Sequence, residues 1–222
     1  MAATAVRYLR SAGAPTAMDA PPRHRRPALR TVRDDERAPA VDGAEFRRVL
    51  GHFASGVTIV TALDEDGPTG FACQSFASLS LDPPLVVFMV ARTSTTWPRI
   101  AQAGRFCVNV LGAEQDELCR AFAVSGADKF AGVTWDPAPA TGSPRLPDAP
   151  AWVDCVISAV HTGGDHLIVV GRVEALGTAT GGAGTAGGSG TAGESGTAEG
   201  PATAGGGPLL FHQGRFGRFS PR

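Results

Sequence analysis

Two hydrophobic spacings alternate along the chain from position 42 onward. Phe46, Val49, Leu50 and Phe53 fall at i, i+3, i+4 and i+7 behind Asp42 and Glu45, a capping-box-like start that predicts a short amphipathic helix. The spacing then tightens. "GVTIVTAL" (56–63), "TGFACQSF" (69–76), "PLVVFMVA" (84–91) and "RFCVNVLG" (105–112) are β-branched or aromatic runs of strand length. "AWVDCVISAVHTG" and "DHLIVVGRVEALG" predict a long hairpin over 151–177, and "PLLFHQGRFGRF" (208–219) a last strand. Two helices interrupt the strands. "STTWPRIAQAG" (94–104) has Ser and Thr to cap it, Pro98 near its first turn and Gly104 to stop it. "EQDELCRAFA" (114–123) turns Leu118 and Phe122 to one face. Most connections are short, which favours antiparallel pairing. The expected fold is mainly β, an antiparallel barrel with a few short helices.

Composition sets the limits of that domain. Residues 1–41 are rich in Arg, Pro and Ala without a sustained period, and read as a disordered tail. A targeting peptide, or a start at Met18, are the other readings of this stretch. Residues 177–207 are a Gly/Ala/Thr-rich run, expected to be a disordered insertion in a loop between two strands. The folded domain is therefore 42–219, interrupted by that insertion, with 220–222 as a tail. The run contains "GAGTAG" (182–187), which satisfies GxGxxG. No amphipathic period follows it, so a dinucleotide fingerprint is rejected.

The net charge of −1 offers no general attraction to nucleic acid or membrane, and no apolar run reaches the length of a membrane span. Of 20 basic residues, 19 are Arg and one, Lys129, is Lys, which reads as coding bias. Cys73, Cys107, Cys119 and Cys155 lack CxxC spacing and lie in apolar stretches, so free buried thiols and a reducing, cytoplasmic setting are expected.

The motifs of common chemistries are missing. No serine of the folded part sits in GxSxG. "HTGGDH" offers His161, Asp165 and His166 in a turn, but no further cluster completes a metal site, and none is expected. What remains is a comb of hydroxyls in "GFACQSFASLSLDPPLVVFMV" (70–90). Ser75, Ser78 and Ser80 alternate with apolar residues beside a double proline. Small hydroxyls and backbone N–H groups at a strand end can cradle a phosphate or a heteroaromatic edge. "ARTST" (91–95) adds Arg92, Ser94 and Thr95 near a helix start, a second place for an anion. Ser and Thr also simply mark turns, and residue type alone leaves both readings open.

A resemblance weighs between them. "FRRVLGHFASGVTIVTA", "GFACQSFASLSLDPPLVVFMVARTST", "GRFCVNVLGAEQDELCRAFA", "DKFAGVTW", "GDHLIVVGRVEAL" and "PLLFHQGRFGRF" together resemble the flavin reductase family, in order over nearly all of 44–219 outside the Gly-rich run. The resemblance implies an FMN-binding split β-barrel, a homodimer, and NADH- or NADPH-dependent reduction of FMN or FAD. It also implies a separate flavin-dependent monooxygenase that receives the reduced flavin. The alternative on the same barrel is a non-catalytic FMN-binding redox sensor or carrier.

Carried onto this chain, the resemblance implies that Gln74, Ser75 and Phe76 line the isoalloxazine edge. Ala77, Ser78, Ser80 and Leu81 would continue toward ribityl and phosphate, with Arg92, Ser94 and Thr95 on the phosphate side. Val57 and Thr58 would approach the ring from the neighbouring strand. Gly164, Asp165 and His166 match the nicotinamide side, where His166 would position the dinucleotide, and Phe211 and His212 match a terminal-strand position near it. Gln74 departs from the small or Asn residue usual there, and the insertion lies directly before the strand of Phe211 and His212. Hydride transfer between two cofactors needs no protein base, which accounts for the missing acid–base pairs. Charge developing on the flavin N1–C2=O edge would be met by backbone N–H groups and hydroxyls such as Ser75.

Overall fold

The computed structural model describes residues 41–126, 128–179, 184–185 and 207–220. Residues 1–40 and most of the Gly-rich run, for which a disordered tail and insertion are expected, lie outside the described residues.

The β-branched runs form strands as their composition requires. In chain order the elements are α1 (Gly43–Leu50), β1 (Ser55–Gly56), β2 (Thr58–Asp64), β3 (Gly67–Cys73), β4 (Ala77–Leu81), β5 (Pro84–Ala91), α2 (Trp97–Ala103), β6 (Arg105–Val110), α3 (Asp116–Ala123), β7 (Asp136–Pro137), β8 (Pro144–Arg145), β9 (Ala151–Gly163), β10 (His166–Thr178), β11 (Gly184–Thr185), β12 (Leu209–His212) and β13 (Arg215–Arg218). The main sheet runs β3-β2-β6-β9-β10-β5-β4, with β11 beside β10, and every pairing is antiparallel.

The sheet curls upon itself. Its interior carries Val60, Val86, Phe88, Val90, Phe106, Val108 and Val169 as one buried cluster, closed by Trp97 and Ile100 of α2. Phe88 is the hub, with ring centroids 5.2 Å from Phe106, 6.0 Å from Phe71 and 6.3 Å from Trp97. Phe71 lies on β3 and Phe88 on β5, which do not pair. Their contact shows that edge strand β3 comes round to face β5 across an unbonded seam. This is a split barrel. Gly171 of β10 is required by that packing, since a Cβ there would lie 2.4 Å from Phe106 Cζ.

A second buried cluster joins Val57, Ile59, Leu111, Cys119, Phe122 and Leu209, seating α3 and β12 on the outside of the barrel. The expected single strand at 208–219 is in fact the hairpin β12–β13. Its two-residue turn places both Gln213 (φ 48°) and Gly214 (φ 78°) in the left-handed region, as a two-residue hairpin loop demands. β7 and β8, made up of two prolines and two charged residues, had no strand pattern to read. Buried Asn109 and Asp154 hold that segment to the sheet. Asn109 Oδ1 accepts from Leu146 N, and Asp154 accepts from the backbone of Ala140 and Thr141.

One further expectation changes. The serine comb is not a strand end. Ala77–Leu81 is edge strand β4, paired with β5 through Ala77↔Val87 and Ser80↔Leu85, and Asp82 and Pro83 make the turn between them. Helix α1 forms where the spacing places it, yet Phe46, Val49, Leu50 and Phe53 remain 48–82% exposed, with no buried residue on the helix.

Candidate active site

The seam opens into a cavity of about 740 Å³. One wall is the end of β3 and the residues after it, Phe71 to Ser75; the facing wall is the end of β5, Met89 to Ala91. Thr93 to Thr96 line the loop that follows β5, Phe122 and Ala123 come from the end of α3, and Ser125 and Lys129 from the loop beyond. Gly163 and His166 enter from the tip of the β9–β10 hairpin. A split barrel leaves this space because β3 and β5 approach without bonding.

Ser75 shapes the wall in a way its sequence context did not announce. Its Oγ donates to Met89 O at 2.8 Å and accepts from Met89 N at 2.8 Å. The β4–β5 ladder begins only at Ala77↔Val87, so the hydroxyl supplies the rung that the backbone at 75 does not. Cys73 Sγ lies 3.3 Å from the same oxygen, and burial pushes the Cys73 thiol up, so the sulfur stays a neutral wall group. The single Ser75 proton is thus committed to Met89, not to a donor role at a ligand edge.

The opposite loop is equally fixed. Ser94 N donates to Ala91 O, and Ser94 Oγ accepts from Trp97 N at 3.2 Å, opening α2. Arg92 N donates to Asp165 O at 3.0 Å, tying the loop to the hairpin tip. At that tip Gly164 has φ 69°, and Asp165 Oδ1 lies 2.8 Å from His166 Nδ1. The His166 contact holds the Asp165 carboxyl below its usual range. An ionised carboxylate only accepts, so Nδ1 carries the proton and Nε2 is left for a ligand.

Of the residues singled out from sequence, Gln74, Ser75, Ser94, Thr95 and His166 meet in this cavity. Gly164, Asp165 and Arg92 do not line it; Asp165 contacts His166 and accepts from Arg92 N. Phe76 packs on the barrel core, and Val57 and Thr58 are buried, Thr58 Oγ1 donating to Cys73 O. Ala77, Ser78, Ser80 and Leu81 lie on edge strand β4, away from the cavity lining. Phe211 stacks edge-on to Phe216 at 5.4 Å, and His212 lies 6.2 Å from His52, both outside that lining. Sequence reading passed over Thr93, Thr96, Phe122 and Lys129, which do line it. Among the described residues no group of three or more metal-ligating side chains converges.

The walls suit a planar heteroaromatic ligand. Phe71, Met89 and Phe122 are apolar, Gln74 can both donate and accept, and hydroxyls with one ammonium gather at the loop side. A family model described as the flavin reductase like domain matches residues 50–220. The chain belongs to the flavin reductase-like family. This flavin reductase-like chain is 51% identical, over 139 residues, to the reductase subunit of a flavin-dependent monooxygenase from Rhodococcus jostii, an overlap of 63% of this chain and 71% of that protein. It is 43% identical over 145 residues to an NADH:riboflavin 5′-phosphate oxidoreductase from Streptomyces pristinaespiralis, covering 64% and 81% of the two chains. The solved NADH:FAD oxidoreductase of Streptomyces globisporus matches the flavin reductase-like fold with a TM-score of 0.66 at 33% identity, over 83% of this chain and 99% of that one.

Proposed function

We propose that the chain is an NAD(P)H-dependent flavin reductase that supplies reduced flavin to a separate monooxygenase component. The observation that carries this reading is the seam cavity itself, apolar on its broad walls and hydrogen-bonding at its rim, in a chain of this family. A flavin held there beside a reduced nicotinamide would supply the hydride transfer from nicotinamide C4 to flavin N5. The protein's share is placement. Phe71, Met89 and Phe122 form the apolar walls, Gln74 offers a polar group for a ring edge, and His166 lines the cavity from the hairpin tip with its Nδ1 held by Asp165. Ser75 keeps the two walls at a fixed separation through Met89.

Arg99, which lines a smaller neighbouring cavity, is bound bidentately to Asp64. A rim so sparse in cations suits a flavin that exchanges. NADH is the nicotinamide that the names of two relatives support. Mixing the purified chain with each nicotinamide and each flavin, and following nicotinamide absorbance, tests the reading. Oxidation dependent on added flavin supports it. Flavin binding without oxidation by any pair replaces it with the carrier reading.

A homodimer fits the outer face of the barrel. Val87 and Met89 of β5 pair with Val170 and Ile168 of β10, all on the side away from buried Val86, Phe88, Val90 and Val169. Met89 is 40% exposed there. Sedimentation as a monomer at working concentration would rule the dimer out. Among the described residues no helix is long and apolar enough to cross a membrane.

A further inference from the structure

Strand β3 supplies one aromatic wall of the cavity directly and admits a second by leaving out a side chain. Phe71 lines the cavity itself and packs on Phe88 in the barrel interior. Its neighbour Gly70 is buried, pairs with Thr61 of β2, and by strand alternation turns its face the other way, toward α3. A Cβ on Gly70 would lie 3.0 Å from Phe122 Cε1, 2.8 Å from Val60 O and 3.2 Å from Thr61 Cγ2. Gly70 does not take a positive φ, so glycine is needed here for space and not for conformation. The ring of Phe122 uses that space. It is fully buried at the end of α3, edge-on to Phe130 at 5.1 Å, and it lines the seam cavity.

We propose that Gly70 is a positioning residue for ligand binding: by holding its place empty it seats the Phe122 ring and so fixes the α3 wall of the seam cavity. The inference rests on the reductase reading for the ligand class, a planar flavin ring. Two of the three groups around the missing Cβ cannot yield. Val60 and Thr61 are fully buried on β2, which is bonded to β3 on one side and β6 on the other. Phe122 stands at the last turn of an eight-residue helix, and its ring is the group that gives way. A methyl group at 70 therefore moves a cavity wall, besides straining the β2–β3 ladder.

The test is a double-mutant cycle on the full chain, read in FMN affinity by flavin fluorescence and in thermal midpoint. Gly70→Ala should weaken FMN by about tenfold, the scale of one overpacked methyl group. Phe122→Leu alone should weaken it a few-fold, by loss of wall area. The double variant Gly70→Ala/Phe122→Leu should bind FMN more tightly than Gly70→Ala, because the shorter side chain leaves room for the methyl group. A merely structural glycine would not give that recovery, since the strain against Val60 O persists in the double variant and keeps its midpoint low. Phe122→Trp approaches the same space from α3 with Gly70 intact, and should weaken FMN to a similar degree. This variant decides the matter if Gly70→Ala does not fold. Losses that simply add in the double variant overturn the proposal, as does unchanged FMN affinity in folded Gly70→Ala or folded Phe122→Trp. Failure of the reductase reading looks different: wild type would bind FMN yet oxidise no nicotinamide, and the affinity cycle would still decide the role of Gly70.

Discussion

Removing the Ser75 hydroxyl separates a wall function from a ligand-binding one. In Ser75→Ala the Oγ that bridges Met89 N and Met89 O is lost, and both backbone groups lose their partner on that side. The backbone cannot replace it, because the β4–β5 ladder starts at Ala77↔Val87. Two net hydrogen bonds at roughly 1 kcal/mol each set an upper scale of about 2 kcal/mol. Met89 is 40% exposed, so water can reach the freed groups and lower the cost toward about 1 kcal/mol. The assay is urea unfolding of wild type, Ser75→Ala and Ser75→Thr, with FMN affinity measured on each. Ser75→Ala should lower the unfolding midpoint at unchanged slope and weaken FMN by only a few-fold, through a looser wall. Ser75→Thr keeps the oxygen and should restore stability. An unchanged midpoint together with a large loss of FMN affinity would refute the reasoning. It would show the hydroxyl serving the ligand, as the sequence alone suggested.

Two other measurements probe the frame and the rim. The Arg99 guanidinium holds the Asp64 carboxyl below its usual range, with the Asp64 side chain 9% and Arg99 33% exposed. A depressed folded-state pKa stabilises above the unfolded carboxylate's pKa and is lost as pH falls through the folded one. Asp64→Asn should therefore cost about 1 kcal/mol near neutrality and flatten the acid limb of the stability curve; an acid limb identical to wild type would sink the idea. His166→Ala should raise the KM for the reduced nicotinamide or slow hydride transfer while FMN affinity holds, whereas loss of FMN binding would move His166 to the flavin side of the cavity.

Much of the barrel was legible because its strands carry their own local signal. β2, β5, β6 and the β9–β10 hairpin are dense in Val, Ile and Phe, and turns such as Gly163 to His166 punctuate them. Edge strand β4 was hidden by its composition. Alternating serines ahead of Asp82, Pro83 and Pro84 look like a loop, and only the pairing with β5 makes "ASLSL" a strand. An edge strand buries little, so it can be polar, and polarity is what concealed it. The amphipathic spacing of α1 was read correctly as helix, and its exposed apolar residues show that spacing reports which residues share a face and not what covers it.

The cavity shows the same division at the level of chemistry. Gln74, Ser94, Thr95 and His166 could be named because the residues around them form continuous, recognisable segments. Lys129 was not named, although it lies in the recognisable segment "DKFAGVTW", because its partners Gly70 and Thr96 lie 59 and 33 positions away. One signal was available. In a chain whose other 19 basic residues are all arginine, a single lysine is a choice against the prevailing composition. Arginine offers a rigid fork that Asp64 already occupies through Arg99; a compact ammonium on a flexible stem can instead sit between two backbone-lined cavities and turn its third donor to either. The rim read from sequence as a neutral comb of serines is thus better described as a wall of committed hydroxyls around one ammonium.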